Sequence, residues 1–174
     1  MQLNFKQLAS LPIFNGICEE DLPAMLNCLG SFQKNYQKDE IILLESNEVR
    51  SVGIILSGIV HMVKEDSEGY QTLLVAMKDG ELFGESFSCG SHLNAHVSFF
   101  AAAPCTVLFL PFHKIIHSCK MSCTFHHRLI ENMVQLHFRR KFCPGHLGEY
   151  FFPVKNSCCN PCRIGGSDSG KLFR

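Results

Sequence analysis

From Ser31 to Phe112 the chain alternates, at short and regular intervals, between apolar β-branched or aromatic runs and turn-forming clusters. The runs are SFQKNYQ, EIILLES, SVGIILSGIVHMVKE, YQTLLVAM, ELFGES, HVSFFAAA and CTVLFLPF. The separators are Lys38-Asp39, Glu45-Ser46-Asn47, Ser57-Gly58, Asp66-Ser67-Glu68-Gly69 and Lys78-Asp79-Gly80. No helical segment separates one run from the next. Spacing of this kind excludes repeated βαβ units and predicts a small all-β barrel or jelly roll. Ile54, Ile55, Leu56, Ile59, Val60, Met62 and Val63 are the expected core, with Gly58 closing a tight hairpin.

Helical spacing flanks this middle on both sides. Residues 5–14 (FKQLASLPIF) and 19–29 (EEDLPAMLNCL) read as two short helices. Glu19, Glu20 and Asp21 sit where carboxylates suit a helix N-terminus. Leu22, Met25, Leu26 and Leu29 form an apolar stripe, and Gly30 ends the second helix. After Pro111, Phe125, Leu129, Met133 and Leu136 recur at helical spacing, with Thr124 as a candidate N-cap. That stripe suits packing on the barrel or pairing with a second copy. The expected organisation is N-terminal helices over 1–30, a β-roll over 31–112, helices over 113–137 and an irregular tail over 138–174.

Charge is divided unevenly within a net charge of zero. Residues 1–137 carry a balance of −5 and residues 138–174 a balance of +5. A polyanion is therefore repelled from most of the body, which argues against nucleic-acid binding by this part. No apolar run is long enough to span a bilayer, and the N-terminus has no apolar signal region, so a cytoplasmic location without membrane contact is expected. Six of the ten cysteines are scattered singly (Cys18, Cys28, Cys89, Cys105, Cys119, Cys123) and read as reduced, mostly buried thiols.

The chemistry concentrates in residues 79–110, DGELFGESFSCGSHLNAHVSFFAAAPCTVLFL. Asp79-Gly80 makes a turn, and Phe83-Gly84-Glu85 follows. Gly84 lets a ligand approach the backbone while Glu85 accepts a hydroxyl hydrogen bond, so the stretch suits a pocket for a small polar ligand. The alternative is a surface turn with a solvated Glu.

Residues 10–137, three quarters of the chain, resemble the sensor domain of Crp/Fnr-type bacterial transcription regulators. The resemblance rests on Leu11-Pro12-Ile13-Phe14, Ile54-Ile55-Leu56-Ser57-Gly58-Ile59-Val60, the acidic turn Lys64-Glu65-Asp66-Ser67-Glu68-Gly69, Asp79-Gly80-Glu81-Leu82-Phe83-Gly84-Glu85 and Ala103-Pro104-Cys105-Thr106-Val107. It implies a mainly β fold with flanking helices, a double-stranded β-helix (β-roll) of the cyclic-nucleotide-binding type. It also implies that the stretch around Gly84 and Glu85 is a phosphate-binding cassette, that the helix after Thr124 begins a dimerisation helix, and that the parent family reads DNA with a helix-turn-helix domain. The implied ligand-binding set is Phe83, Gly84, Glu85, Ser86, Ala95 and His96.

Two departures sharpen the expectation. The family's phosphate-neutralising Arg-Ser pair falls, without gaps, on Ala95 and His96, and no Arg or Lys occurs between Lys78 and Lys114. A phosphate without its cation loses a charge-assisted contact of about 1.5–3 kcal/mol, which argues against a cyclic nucleotide as ligand. His96 substitutes only when protonated. Secondly, Pro144 and Gly145 stop the last helix and nothing after them reads as a helix-turn-helix, so an aberrant or truncated C-terminus is expected and DNA binding is not.

The tail spacing Cys143-x2-His146-x12-Cys159-x2-Cys162 matches a zinc knuckle, without the hairpin or helix that organises such ligands. His126-His127 and His113/His117 read as solvated or capping residues. No catalytic constellation, Walker loop or dinucleotide fingerprint is visible, so an enzyme is not expected. The resulting expectation is an effector-sensing domain with a small-molecule ligand and no certain cofactor. The alternative is a vestigial β-roll that serves as a protein-interaction module with a zinc-binding tail.

Overall fold

Among the described residues, the two-residue period between Ser31 and Phe112 becomes eight antiparallel strands. A computed structural model describes residues 3–88, 93–117 and 124–142. The strands are β1 (Phe32–Tyr36), β2 (Ile41–Leu43), β3 (Ser51–Ser57), β4 (Val60–Glu65), β5 (Gln71–Met77), β6 (Leu82–Phe83), β7 (Ser98–Ala101) and β8 (Cys105–Pro111). They form two four-stranded sheets, ordered β1-β8-β3-β6 and β2-β7-β4-β5. Every pairing within them is antiparallel, so the jelly-roll class expected from the sequence is the one observed.

Alternation along the strands sorts the apolar residues into two clusters. On β8, Cys105, Val107 and Phe109 point between the sheets, while Leu108 and Leu110 point the other way. The inner cluster adds Tyr36, Ile55, Phe83, Val60, Met77, Phe99 and Ala101. The outer cluster lies between the first sheet and the helices α1 (Phe5–Ala9), α2 (Leu22–Leu29), α4 (Phe112–Ile116) and α5 (Thr124–Phe142). The α2 stripe Leu22, Met25, Leu26 and Leu29 is buried there, and Gly30 ends the helix at φ 64°, as its sequence indicates.

Several details differ from the sequence pattern. Residues 5–14 do not form one helix: α1 ends at Ala9, Leu11 is extended, and Pro12 opens a separate 3-10 turn over Pro12–Phe14. The cause is Pro12, whose ring disfavours helical geometry at the residue before it. Ile59 is 43% exposed rather than in the core, because it follows Gly58 in the turn and contributes its carbonyl to the amides of Ala102 and Ala103. Gly58 itself is required there: at φ 94° a Cβ would stand 2.4 Å from the Pro104 carbonyl. Of the single cysteines, Cys105 is buried, Cys18 half-buried and Cys28 exposed, since Cys28 falls off the apolar stripe of α2. Cys89, Cys119 and Cys123 lie outside the described residues.

Helix α5 continues past His137 to Phe142, where the apolar pattern was expected to break. Arg139, Arg140 and Lys141 are good helix formers and need no apolar stripe to extend it. Its stripe packs on the body: Leu129 and Met133 are buried, with Phe125 and Leu136 half-buried against the same cluster. Buried Asn132 locks this contact, donating from Nδ2 to the carbonyls of Ile13 and Asn15 at 2.9 Å each. His126 is buried rather than solvated, with Nε2 unpartnered among the described residues, whereas His127 is exposed beside Glu131. No helix among the described residues is long and apolar enough to cross a membrane.

Candidate functional site

Gly80 turns the chain at φ 83°, and its amide donates to the Ile55 carbonyl, placing β6 against β3. Phe83 then enters the inner cluster. Its ring lies 4.8 Å from that of Phe99 and 6.2 Å from that of Phe109, and it covers Gly53 so closely that a Cβ there would fall 2.3 Å from Phe83 Cζ. The side chain of Phe83 is thus a core group that fixes the start of the cassette.

Gly84 adopts φ 85°, and a Cβ on it would meet the Ser51 carbonyl at 3.1 Å and Val49 Cγ1 at 3.3 Å. This left-handed residue ends β6 and begins α3 (Glu85–Ser88), so Glu85 and Ser86 lie on a helical turn rather than on the strand their sequence suggests. Ser88 ties the turn down by donating from Oγ to the Gly84 carbonyl at 2.9 Å. Glu85 is only 5% exposed, while Ser86 is exposed.

The second half of the predicted set comes from the chain before β7. Buried Ala95 donates its amide to the Asn47 carbonyl, and its own carbonyl accepts from the Ser46 amide. The Val49 amide likewise donates to the Leu93 carbonyl. Both halves therefore hang on one segment, residues 46–51: α3 through Gly84 and Ser88, and residues 93–95 through backbone pairing. His96 is exposed, and its ring meets that of Phe87 on α3 edge-on at 5.9 Å. Gly84, Glu85 and Ser86 thus precede Phe87, against which His96 packs, and this edge of the roll is the rim, with Ala95 as its backbone support and Phe83 in the core.

Three groups join this rim that sequence reasoning missed. His137 of α5 places Nδ1 3.5 Å from Glu85 Oε1 and 3.5 Å from Ser86 Oγ. Lys64 of β4 donates from Nζ to the His96 carbonyl at 3.0 Å and pairs with Glu45. Lys64 had a local signal, because it follows Val60 and Met62 at the two-residue period of β4. His137 had none, since helix docking brings it to Glu85 from far along the chain.

The zinc-like set Cys143, His146, Cys159 and Cys162 lies outside the described residues. Among the described residues no group of three or more metal-ligating side chains is assembled. A small recess lined by Leu3, Asn4, Gln7, Leu8, Leu11 and Leu56 lies apart from the rim and has no titratable group.

A family model described as cyclic nucleotide-binding domain matches residues 33–120, half of the chain. The chain belongs to the cyclic nucleotide-binding domain family. Among solved structures, a cyclic nucleotide-binding domain from Methylobacillus flagellatus is 16% identical with a TM-score of 0.64, covering 84% of each chain. The catabolite activator protein of Thermus thermophilus is 21% identical with a TM-score of 0.61, covering 75% of this chain and 58% of that one. The sensor domain of the transcriptional regulator DNR from Pseudomonas aeruginosa is 16% identical with a TM-score of 0.58, covering 83% and 95%. At these identities the likeness establishes the fold, and this chain spans 58% of the length of the activator protein. No curated protein sequence matches the chain. The β-roll of this cyclic nucleotide-binding domain is the architecture that its resemblance to Crp/Fnr-type sensor domains implies.

Proposed function

We propose that this chain senses a small effector at the rim formed by Gly84, Glu85, Ser86 and His96 and passes occupancy to α5, as the sensor domain of a Crp/Fnr-type regulator. The observation that carries this reading is the 3.5 Å approach of Glu85 Oε1 to His137 Nδ1. Glu85 is nearly buried, so its carboxylate needs hydrogen-bond donors, and a ligand hydroxyl and the His137 imidazole compete for it. A ligand that takes Glu85 removes one of the contacts holding the outer half of α5. The inner half stays anchored through Leu129, Asn132 and Met133. Only differential contacts of this kind let a ligand bias a conformational equilibrium.

In a complete regulator α5 would lead to a DNA-reading domain, and the exposed Val134 and Phe138 on it suit a second copy of the same helix. A cyclic nucleotide is disfavoured as the effector because Ala95 and His96 supply no guanidinium. Hydrogen exchange of α5 in the full chain tests the reading. In Glu85→Gln and in His137→Ala, residues 134–142 should exchange faster while residues 125–133 keep their protection. Unchanged exchange of 134–142 in both variants would remove the proposed link between rim and helix.

A further inference from the structure

The inner face of the second sheet changes character from one end to the other. At one end Ala101, Val60 and Met77 pair across β7, β4 and β5 and are 0–1% exposed. In the next row Leu43 and Met62 both pair with buried Phe99, and Val75 pairs with Met62. Leu43, Met62 and Val75 are only half-buried, although all three pack on the inner cluster. The roll is sealed at the first row and opens at the second.

Two residues beyond Met62, and so on the same face of β4, stands Lys64. Its ammonium reaches the carbonyl of His96, whose ring touches Phe87, another half-buried member of the inner cluster. The segment from 79 to 113 has no Lys or Arg of its own. The cation missing from the cassette sequence is therefore delivered to the same edge by a neighbouring strand. Glu45 neutralises it, with the two side chains 29% (Glu45) and 47% (Lys64) exposed.

We propose that Lys64 is the anion anchor at this open end of the roll and that the ligand is an organic anion, with an apolar body on Leu43, Met62, Val75 and Phe87 and one anionic head on Lys64. A bare inorganic anion would leave that floor wet, and a neutral apolar molecule would cover the ammonium without pairing it. Binding exchanges the Lys64–Glu45 pair for a Lys64–ligand pair, so Glu45 is a built-in competitor. This rests on the effector-sensing reading in placing the ligand at the same mouth.

Anilinonaphthalenesulfonate, an aryl body with one sulfonate, is a fluorescent probe of this class and is titrated into the full chain. Lys64→Ala should weaken its binding about tenfold or more, Lys64→Arg should stay within about threefold, and Glu45→Gln should tighten it about threefold or more. The neutral phenylnaphthylamine should respond to none of the three. Both side chains are at the rim, so melting temperatures should confirm that all variants fold. Equal sulfonate affinity in every variant overturns the proposal, and so does a Glu45→Gln affinity no tighter than that of the parent. Binding is read without α5, so loss in Lys64→Ala with unresponsive α5 exchange keeps the anchor and sinks only the coupling to the helix.

Discussion

Strands β5 and β8 are both seven residues long and both carry Thr, Leu and Val, yet they are treated oppositely by the fold. β8 lies between β1 and β3, with the inner cluster on one face and the helices on the other, and its Val107 and Leu108 are fully buried. β5 is the edge of the second sheet, and its Leu73 and Leu74 are 52% and 47% exposed. Similar composition meets two different surroundings, so burial here is set by the neighbours a strand acquires. The contrast also divides the molecule by task. The first sheet, covered on both faces at β3 and β8, is scaffold, while the second, covered on one, leaves the open end where Lys64 and Glu45 meet.

Leu108→Ala attacks the covered sheet and should cost about 3 kcal/mol in urea denaturation, because its site is closed on both sides and cannot collapse. A loss under about 1 kcal/mol would mean that the helices do not seal that face. Asn132→Ala comes next, at about 1–2 kcal/mol by the same measurement, since it leaves the carbonyls of Ile13 and Asn15 without their donor. It should also raise exchange in 125–133, the half of α5 that rim variants leave alone.

Tyr36 and Cys105 face each other across β1 and β8 and sharpen the contrast through pH. Burial pushes the Tyr36 phenol up, with Cys105 and the Glu40 carboxylate adding to it; burial and then Glu40 do the same to Cys105. Both groups hold their protons more tightly when folded. Their contribution is therefore complete below the ordinary phenol and thiol range and is lost as pH rises through the folded values. Melting temperatures should be level near neutrality and fall in alkali, and the fall should be shallower in Tyr36→Phe. The smallest effect is expected at the open edge: Leu73→Ser should stay within about 0.5 kcal/mol of the parent. A large loss there would show that β5 is covered in solution.

Much of this was legible in local pattern. The alternating runs specify the strands, and the stripe of α2 specifies its buried face. Gly30, Gly58 and Gly84 sit where left-handed backbone is needed, a property written in the residue type. The candidate site was legible where it is local, at Phe83-Gly84-Glu85. It was illegible where it is assembled at a distance. Lys64 reaches His96 through the side-by-side packing of β4 and β7, and His137 reaches Glu85 because α5 docks on the N-terminal turn. Ile59 was expected in the core and is exposed because it sits in the turn after Gly58, and apolar Leu73 is exposed because β5 is an edge; hydropathy records neither position.

The amino-acid order by itself determined most of the strands, the stripe of α2, the jelly-roll class and the absence of an arginine from the cassette, because each depends on residue type and short-range spacing. Tertiary structure decided which sheet is covered twice, which cation stands at the rim and which helix residue meets Glu85. Those depend on contacts between residues far apart in the chain, and a linear pattern carries no distance between them.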